Sequence, residues 1–487
     1  MKIDITRDTF DQHKHFSRVL MQQGRVQLDS DFNEQAAIVL HYMRTLAADI
    51  IGPHGGPRVE PAGASHPENF GITLQPAGAG NPTDLIIGPG RYYVDGILCE
   101  NDPKGDGEGN EDGLPYREQP NYPLPPELPD PPYLVYLDVW ERHKTALEDP
   151  DICEKALGGP DTATRAEVVW QVKVTAETPE GASSFPTDKA GVEANWENWV
   201  KVWQPVNRGT LKAKAKETPD GDSNPCVASP EARYRGLENQ LYRVEIHRSG
   251  EAVPPENGPG TAMVQQGTTR DQEQSSPTFK WARDNGTAAI PIRDVDGNTV
   301  TPENLGRDRR LGLKVGDWVE IADDDYVLQG RAEPLLQVEK IDATSMRVVL
   351  SGEPSLDVKQ DPDKHLLLRR WDHGAGDSKN SKMEDGTLPL KENDWLTLED
   401  GVQICFQAAE EGEPHTYRTG DYWLIPARTA TGDVEWPGDE GKPEARPPHG
   451  TDHHYAPLAV FVPDQDQAAD CRCLFEPLCI RDTQNSG

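Results

Sequence analysis

The sequence predicts a mainly β, multidomain protein of small β-barrels or sandwiches, and a helical N-terminal segment makes it α+β overall. The chain has 487 residues, and its 44 Gly and 43 Pro follow no regular period, which is typical of many short elements joined by turns. Short apolar runs recur between these turns, an all-β pattern. Before them lies one pattern of helical period, which predicts a helix preceded by a short extended segment.

The helix is predicted from its capping pattern and its apolar stripe. Asp31 is followed three residues later by Glu34, a capping box that predicts a helix start, and Gly52 predicts its end. The stripe consists of residues spaced four and three apart, namely Ala36, Leu40, Met43, Ala47 and Ile50. Two interpretations stay open. The helix packs on its own domain, or it is a heptad-like docking helix that joins identical subunits or a larger assembly.

Turn clusters divide the rest of the chain. We expect an assembly segment at 1–52, a β-rich domain at 53–215 with an acidic, proline-rich loop at 102–132, a barrel or sandwich at 233–370, and a β-rich domain at 371–487. Asp95-Gly96 predicts a tight hairpin turn. The predicted strands include Phe70–Leu74, Leu85–Ile87, Tyr133–Trp140, Val168–Val174, Leu241–His247, Trp318–Ile321, Leu335–Val338, Met346–Leu350, Leu366–Leu368, Val402–Phe406 and Tyr422–Ile425.

The charge balance argues against two classes of partner. The chain has 49 Lys and Arg against 83 Asp and Glu, a formal net charge of −34 at pH 7. Such a chain repels nucleic acid phosphates and anionic membranes, so neither is an expected partner. It has no apolar run of about 18 residues for membrane insertion, and its N-terminus lacks the apolar core of a signal peptide. We expect cytoplasmic folding and assembly, with an extracellular location only within a released particle.

Metal binding is a minor interpretation at three places. Cys471, Cys473 and Cys479, with His453 and His454 upstream, fit a zinc site, a disulfide formed after release, or inert thiols. Inert thiols are favoured, because the spacing matches no standard zinc motif. The acidic segments 294–298 and 323–325 offer oxygen ligands to calcium but are more typical of solvated turns. We therefore expect no metal and no cofactor.

No residue pattern predicts an active site. Glu245 and His247 share one face of a predicted strand and suggest an acid–base dyad, but an outward polar face of a half-buried strand is the favoured interpretation. The spacing of Trp196, Trp199 and Trp203 predicts one face of a packed helix rather than a platform for sugars. Phosphate-binding loops and hydrolase motifs are absent from the sequence. A protein that is not an enzyme is expected.

Several long segments resemble one protein family. They are Gln22–Asp29, Tyr136–Arg142, Ala156–Arg165, Leu241–His247, Thr278–Gly286 and Gly420–Arg428. Through them the chain resembles a domain-of-unknown-function family that is encoded beside phage-tail-like contractile injection systems and sometimes carries fibre or β-helix extensions. The resemblance spans nearly the whole chain and carries no catalytic residues to transfer.

The resemblance implies a structural component of a contractile injection system or phage-like tail, associated with the baseplate or its fibres. The implied partners are other tail or baseplate subunits, and the symmetry of such particles implies a homotrimer or a sixfold ring. The residues expected to mediate assembly are Gln22, Gln23, Arg25, Leu40 and Met43. The alternatives are a carbohydrate-binding or glycan-processing surface protein, motivated by the tryptophans and acidic residues, and a cargo or lumen protein of the same particle.

Overall fold

A computed structural model describes most of the chain. The described residues are 2, 9–58, 68–76, 83–102, 113–216, 233–252, 276–306, 312–355, 364–373, 385–409, 414–439, 441–463 and 467–476. The chain divides into two compact units that are interleaved in sequence. We call Arg7–His143, Ala166–Pro205 and Asp452–Gly487 the helix unit, and Met1–Thr6, Lys144–Arg165 and Val206–Thr451 the barrel unit.

The described residues form mainly β-strands, which confirms the predicted fold class. The helices are α1 Asp29–Ile51, α2 Lys189–Trp203 and α3 Asp324–Leu328, with 3-10 turns at Gln12–Lys14, Tyr116–Glu118, Pro150–Ile152, Lys155–Leu157 and Asp284–Gly286. The first strands are β1 His54–Pro57, β2 Ile72–Gln75, β3 Asp84–Ile87, β4 Gly90–Val94, β5 Ile97–Asn101, β6 Leu114–Pro115, β7 Tyr133–Lys144, β8 Arg165–Thr175, β9 Thr210–Ala215, β10 Gln240–Arg248, β11 Gly250–Glu251, β12 Thr278–Ala282, β13 Ala289–Asp296 and β14 Thr299–Pro302. The others are β15 Trp318–Ala322, β16 Leu336–Asp342, β17 Arg347–Leu350, β18 Leu367–Trp371, β19 Leu388–Pro389, β20 Leu396–Thr397, β21 Val402–Gln407, β22 Thr416–Tyr417, β23 Tyr422–Arg428, β24 Asp433–Val434, β25 Gly438–Asp439, β26 Lys442–Pro443, β27 His454–Phe461, β28 Ala469–Asp470 and β29 Leu474–Phe475.

The described residues of the helix unit form three small sheets around its larger core. Their strand orders are β29-β1-β4-β5, β2-β3-β6 and β28-β27-β7-β8. The central contact is the antiparallel pairing of β27 with β7, which joins residues more than three hundred positions apart, such as His454 and Val139. This pairing explains why the units are interleaved, whereas the sequence predicted four consecutive segments.

Helix α2 covers a second, smaller core of the helix unit. Trp199 is buried, and Trp196 and Trp203 pack around it against Leu134 and Val460. The ring of Trp203 stacks on that of Tyr136, with ring centroids 4.0 Å apart. The three tryptophans therefore belong to a packed helix face, as predicted.

The barrel unit combines a closed barrel with several open sheets. The barrel follows the order β13-β14-β17-β16-β15-β18, and all its pairings are antiparallel. Its interior is filled by aliphatic side chains such as Val300, Val319, Val348 and Leu368. The largest open sheet has the order β19-β12-β10-β23-β24. The barrel extends from Ala289 to Trp371, whereas the sequence predicted a barrel or sandwich domain over 233–370.

Helix α1 ends where the sequence predicts but starts earlier. Gly52 ends it with a positive φ of 97°, and its N–H donates to the carbonyl of Ala48. The prediction that Asp31 is the N-cap is wrong, because the helix begins at Asp29 with Leu28 as N-cap. The Asp31 carboxylate instead accepts the Leu28 N–H at 3.2 Å, so it has the reach-back role that the pattern gave to Glu34.

The hairpin turn between β4 and β5 lies against α1. Asp95 and Gly96 have φ values of 47° and 77°, which confirms the predicted tight turn. A Cβ on Gly96 would lie 2.2 Å from the carbonyl oxygen of Arg44, which belongs to α1. Glycine is therefore required for the close approach of the turn to the helix as well as for its backbone conformation.

Gly96→Ala should destabilise the helix unit more than Gly24→Ala does. Both glycines have a positive φ, but nothing lies within 4 Å of a Cβ at Gly24, so that variant carries only the backbone cost. We expect Gly96→Ala to lower the free energy of unfolding by about 1 kcal/mol for the backbone conformation and by a further amount for the clash with α1. Urea unfolding of both variants measures the difference, and equal midpoints would contradict the close contact.

Candidate assembly interface

Helix α1 turns one face toward its own unit. On that face, Glu34 accepts a hydrogen bond from the Thr9 hydroxyl at 2.6 Å, and at its edge Gln35 accepts one from the Val19 N–H at 2.9 Å. The guanidinium of Arg44 pairs with Glu141 at 2.8 Å, and Ile38 is buried. Since Thr9 and Val19 precede the helix, the segment 9–28, which we call the arm, lies along α1.

The opposite face of α1 consists of exposed apolar side chains. We call it the outer stripe, and it is formed by Phe32, Ala36, Val39, Met43, Leu46 and Ile50. Met43 is 64% exposed and Ile50 74%, values usual for charged residues rather than for a Met or Ile. An apolar surface of this length on one helix is a mark of an interaction site.

The structure places the five predicted assembly residues in two groups. Leu40 and Met43 lie on the exposed side of α1, Leu40 beside the outer stripe and Met43 within it. Gln22 and Arg25 line a cleft of about 260 Å³ between the arm and the start of α1, together with Val19, Leu20, Met21, Val26, Gln27 and Asp31. Gln23 is exposed at the turn between Gln22 and Arg25 but does not line the cleft.

Phe32, Val39 and Leu46 were missed by the sequence prediction. Three members of the predicted stripe, Ala36, Met43 and Ile50, belong to the outer stripe, and the other two, Leu40 and Ala47, lie beside it. The signal that identifies the other members is their seven-residue recurrence, from Phe32 to Val39 to Leu46. Periodicity alone did not determine which side of the helix faces its own unit.

The barrel unit contains a second group of candidate residues, a buried charge cluster on β10, β12 and β15. The ammonium of Lys280 lies 2.7 Å from Glu320 and 3.5 Å from Glu245. The second Glu245 oxygen accepts from Arg243 at 2.5 Å, and Lys2 binds its first oxygen at 2.9 Å. Two buried carboxylates are thus paired with three cations, two of them buried and the third, Lys2, partly exposed.

Two aromatic side chains donate further hydrogen bonds to Glu320. The indole N–H of Trp371 donates to it at 3.0 Å and the hydroxyl of Tyr326 at 3.1 Å. The Trp371 ring also lies under Lys280, with the ammonium 4.4 Å from its centroid. The cluster therefore joins the open sheet, through β10 and β12, to the barrel, through β15 and β18.

The preferred interpretation of Glu245 and His247 as an outward polar face is wrong. Both residues are buried, because the charged face of β10 meets Lys280 and Glu320 instead of water. Burial alone would raise the pKa of Glu245. The charges of Lys2, Arg243 and Lys280 lower it by more than burial raises it, so the pKa lies well below its usual range. Burial lowers the pKa of His247 to about 3, and the charge of Lys280 acts in the same direction.

This geometry is that of a structural ion network. Removing one member of a buried ion pair typically costs about 3–5 kcal/mol, because the remaining charge stays buried without compensation. A substrate cannot contact Glu245 or His247 in this conformation, since both side chains are enclosed. The catalytic dyad considered from the sequence therefore gains no support here.

The cysteine and histidine residues of the possible zinc site have other surroundings. His453 binds Asp138 at 2.6 Å and His454 binds Asp95 at 2.8 Å. Cys471 is buried, and burial raises the pKa of its thiol to about 12, while Cys473 is exposed. Cys479 lies outside the described residues. Within the part of the chain that the structure describes, no group of three or more His, Cys, Asp or Glu side chains is arranged to hold a metal.

One family model matches this chain, over residues 1–186 and 206–485, and it is described as a family of unknown function (DUF6519). The chain belongs to this family. No curated protein and no solved structure matches it. Since the family description gives no function, the association with contractile particles stays a prediction. In the described segments, no helix is both long and apolar enough to cross a membrane.

The low pKa of the buried His247 should make the protein less stable in mild acid. Its folded pKa of about 3 lies below the usual 6.5, so between these values the unfolded chain binds a proton that the folded chain does not. The free energy of unfolding should therefore fall as pH drops below about 6.5, by at most about 1.4 kcal/mol per pH unit for this group. The depressed pKa of Glu245 adds a loss only below about 4.5.

His247→Gln should flatten this dependence between pH 6.5 and 5, the range in which carboxylates stay ionised. Denaturant unfolding at several pH values measures the slope. The matched control is His13→Gln, at an exposed histidine of the 3-10 turn before α1, and it should leave the slope unchanged. A slope equal to that of the unmodified chain in His247→Gln would contradict a buried neutral imidazole.

Elemental analysis tests the assignment of inert thiols. Because Cys471 is a protonated, buried thiol in an apolar cluster, we expect no stoichiometric zinc in the purified chain and a shift of only a few degrees in melting temperature on chelation. One zinc per chain, lost together with the fold of the C-terminal residues on chelation, would overturn this assignment.

Proposed function

We propose that this chain is a structural component of a contractile injection system or phage-like tail, associated with the baseplate or its fibres. It acts through contacts between subunits and catalyses no reaction. The observation that carries the proposal is the outer stripe of α1, an apolar surface that a chain of net charge −34 has little reason to expose to water unless it is covered on assembly. The expected partners are other tail or baseplate subunits.

The rest of the chain supports a mechanical role. The barrel and the open sheets pack around apolar cores, and the buried carboxylates Glu245 and Glu320 are paired with cations, as suits a protein that acts through fixed contacts. Glu245 and His247, the polar pair with the most enzyme-like sequence pattern, are both enclosed, and Glu245 is paired with cations. The tryptophans that motivated a carbohydrate-binding alternative, Trp196, Trp199 and Trp203, are used in packing α2.

Leu40→Glu/Met43→Glu should prevent incorporation into particles. Both side chains are exposed, so the substitutions remove no core packing, but they place two carboxylates in a surface that must become dry on assembly. Particles purified from cells that express either chain are assayed by mass spectrometry, and circular dichroism checks the fold of each chain.

The matched control is Val206→Glu/Leu237→Glu, which adds the same two charges at exposed apolar residues of the barrel unit. It should be incorporated normally. Normal incorporation of a folded Leu40→Glu/Met43→Glu chain would remove the assembly role of α1, and the absence of the unmodified chain from every particle fraction would remove the proposed function itself.

A further inference from the structure

We infer that the outer stripe of α1 is the surface through which copies of this chain associate, and that its occupant is the outer stripe of a second copy. The inference rests on the proposed function, which gives α1 an assembly role, and deepens it by identifying the partner as the chain itself. The period, the charge and the dimensions of the stripe favour a second copy as its occupant.

The period of the outer stripe is that of a helix that packs on another helix. Phe32, Val39 and Leu46 recur every seven residues, and so do Ala36, Met43 and Ile50. Written as a heptad, the first set occupies d positions and the second set a positions. A partner that interlocks with such a stripe must carry the same repeat, and an identical helix supplies it.

The charge of the stripe favours a like partner over a basic one. The positions beside it are Asn33, Gln35, Leu40, Tyr42, Ala47 and Asp49, with a single charge among them. A cationic partner would be recognised by carboxylates, which this face nearly lacks. Copies with a net charge of −34 repel each other, and the approach is least unfavourable where the surface is uncharged.

The dimensions of the stripe indicate how the contact is completed. From Phe32 to Ile50 it spans about 27 Å of helix, and a strip about 10 Å wide gives roughly 270 Å². A stable interface buries about 800 Å² per partner, so one helix pair is too small by itself. Leu40 and Tyr42 on the flanks, and Leu20 and Met21 on the arm, are also exposed and can be buried in the same contact.

Sedimentation velocity of the purified full-length chain, across a dilution series at micromolar concentrations, tests the inference. We expect a dimer or larger species that dissociates on dilution. Added salt should strengthen the association, because it screens the repulsion between acidic copies and leaves the apolar contact intact. Val39→Glu/Leu46→Glu should be monomeric throughout the series, and the control Val206→Glu/Leu237→Glu should associate as the unmodified chain does.

A variant that strengthens the contact separates the inference from loss of folding. Ala36→Leu enlarges an exposed a position and should tighten self-association by at least about tenfold, as an additional buried leucine would. Thr45→Leu adds a similar apolar side chain at an exposed position outside the stripe and should have no effect. An unmodified chain that is monomeric at every concentration, or an oligomer that none of these variants changes, would overturn the inference.

The outcome is separable from the proposed function. A chain that is monomeric alone but joins particles through α1 would refute self-association and leave the assembly role intact, with a different subunit on the stripe. A chain that associates through α1 and occurs in no particle would support the inference and refute the proposed function.

Discussion

The apolar outer stripe of α1 is the feature that most constrains the role of this chain. Each large apolar side chain left in water forgoes about 1.5–3 kcal/mol relative to burial, and the stripe exposes five of them, Phe32, Val39, Met43, Leu46 and Ile50. The chain does not bury the stripe itself, because the face of α1 that packs on its own unit is the opposite one, with Glu34, Arg44 and Ile38. A partner that covers the stripe would gain this free energy of burial. An assembly protein uses such a surface, whereas a protein that acts alone gains nothing from it.

The two units satisfy their interiors by different means. In the helix unit, strands distant in sequence surround an aromatic and aliphatic core, and the tight turn at Gly96 fixes α1 against them. In the barrel unit, the junction between sheet and barrel is ionic. Glu320 there accepts hydrogen bonds from Lys280, Trp371 and Tyr326, and these three donors compensate its buried charge. Such a network is sensitive to loss of any one member and fixes the relative placement of β10 and β15.

Local patterns in the sequence predicted the local structure well. The alternation in Val402–Phe406 and the aliphatic runs around Val319, Val348 and Leu368 predicted strands, and Gly52 predicted a helix end, because these signals depend on near neighbours. The pairing of His454 with Val139 was beyond such reasoning, since register over this distance is set by the whole fold. The helix start was misplaced because Leu28 has no capping side chain, and only the backbone shows that Asp31 lies inside the helix.

The candidate sites were predictable to different degrees. The heptad recurrence of α1 was present in the sequence, but its direction depended on contacts such as Thr9 with Glu34, which no periodicity contains. The charged face of β10 was misinterpreted because Arg243, Glu245 and His247 alternate with apolar residues, a pattern that is also typical of strands with one face in water. The signal that could have corrected this is Lys280, the single charged residue of Thr278–Ala282. All five residues of this strand are buried, and a buried lysine requires an acidic partner.

Oxidative footprinting of the full-length chain across a concentration series tests the central claim most directly. Met43 lies in the outer stripe and is exposed in the single chain, while Met346, at the turn between β16 and β17, serves as a reference within the same molecule. We expect the oxidation rate of Met43 to fall relative to that of Met346 as concentration rises, because α1 of another copy covers Met43. A ratio independent of concentration would contradict the claim that copies of this chain meet at α1.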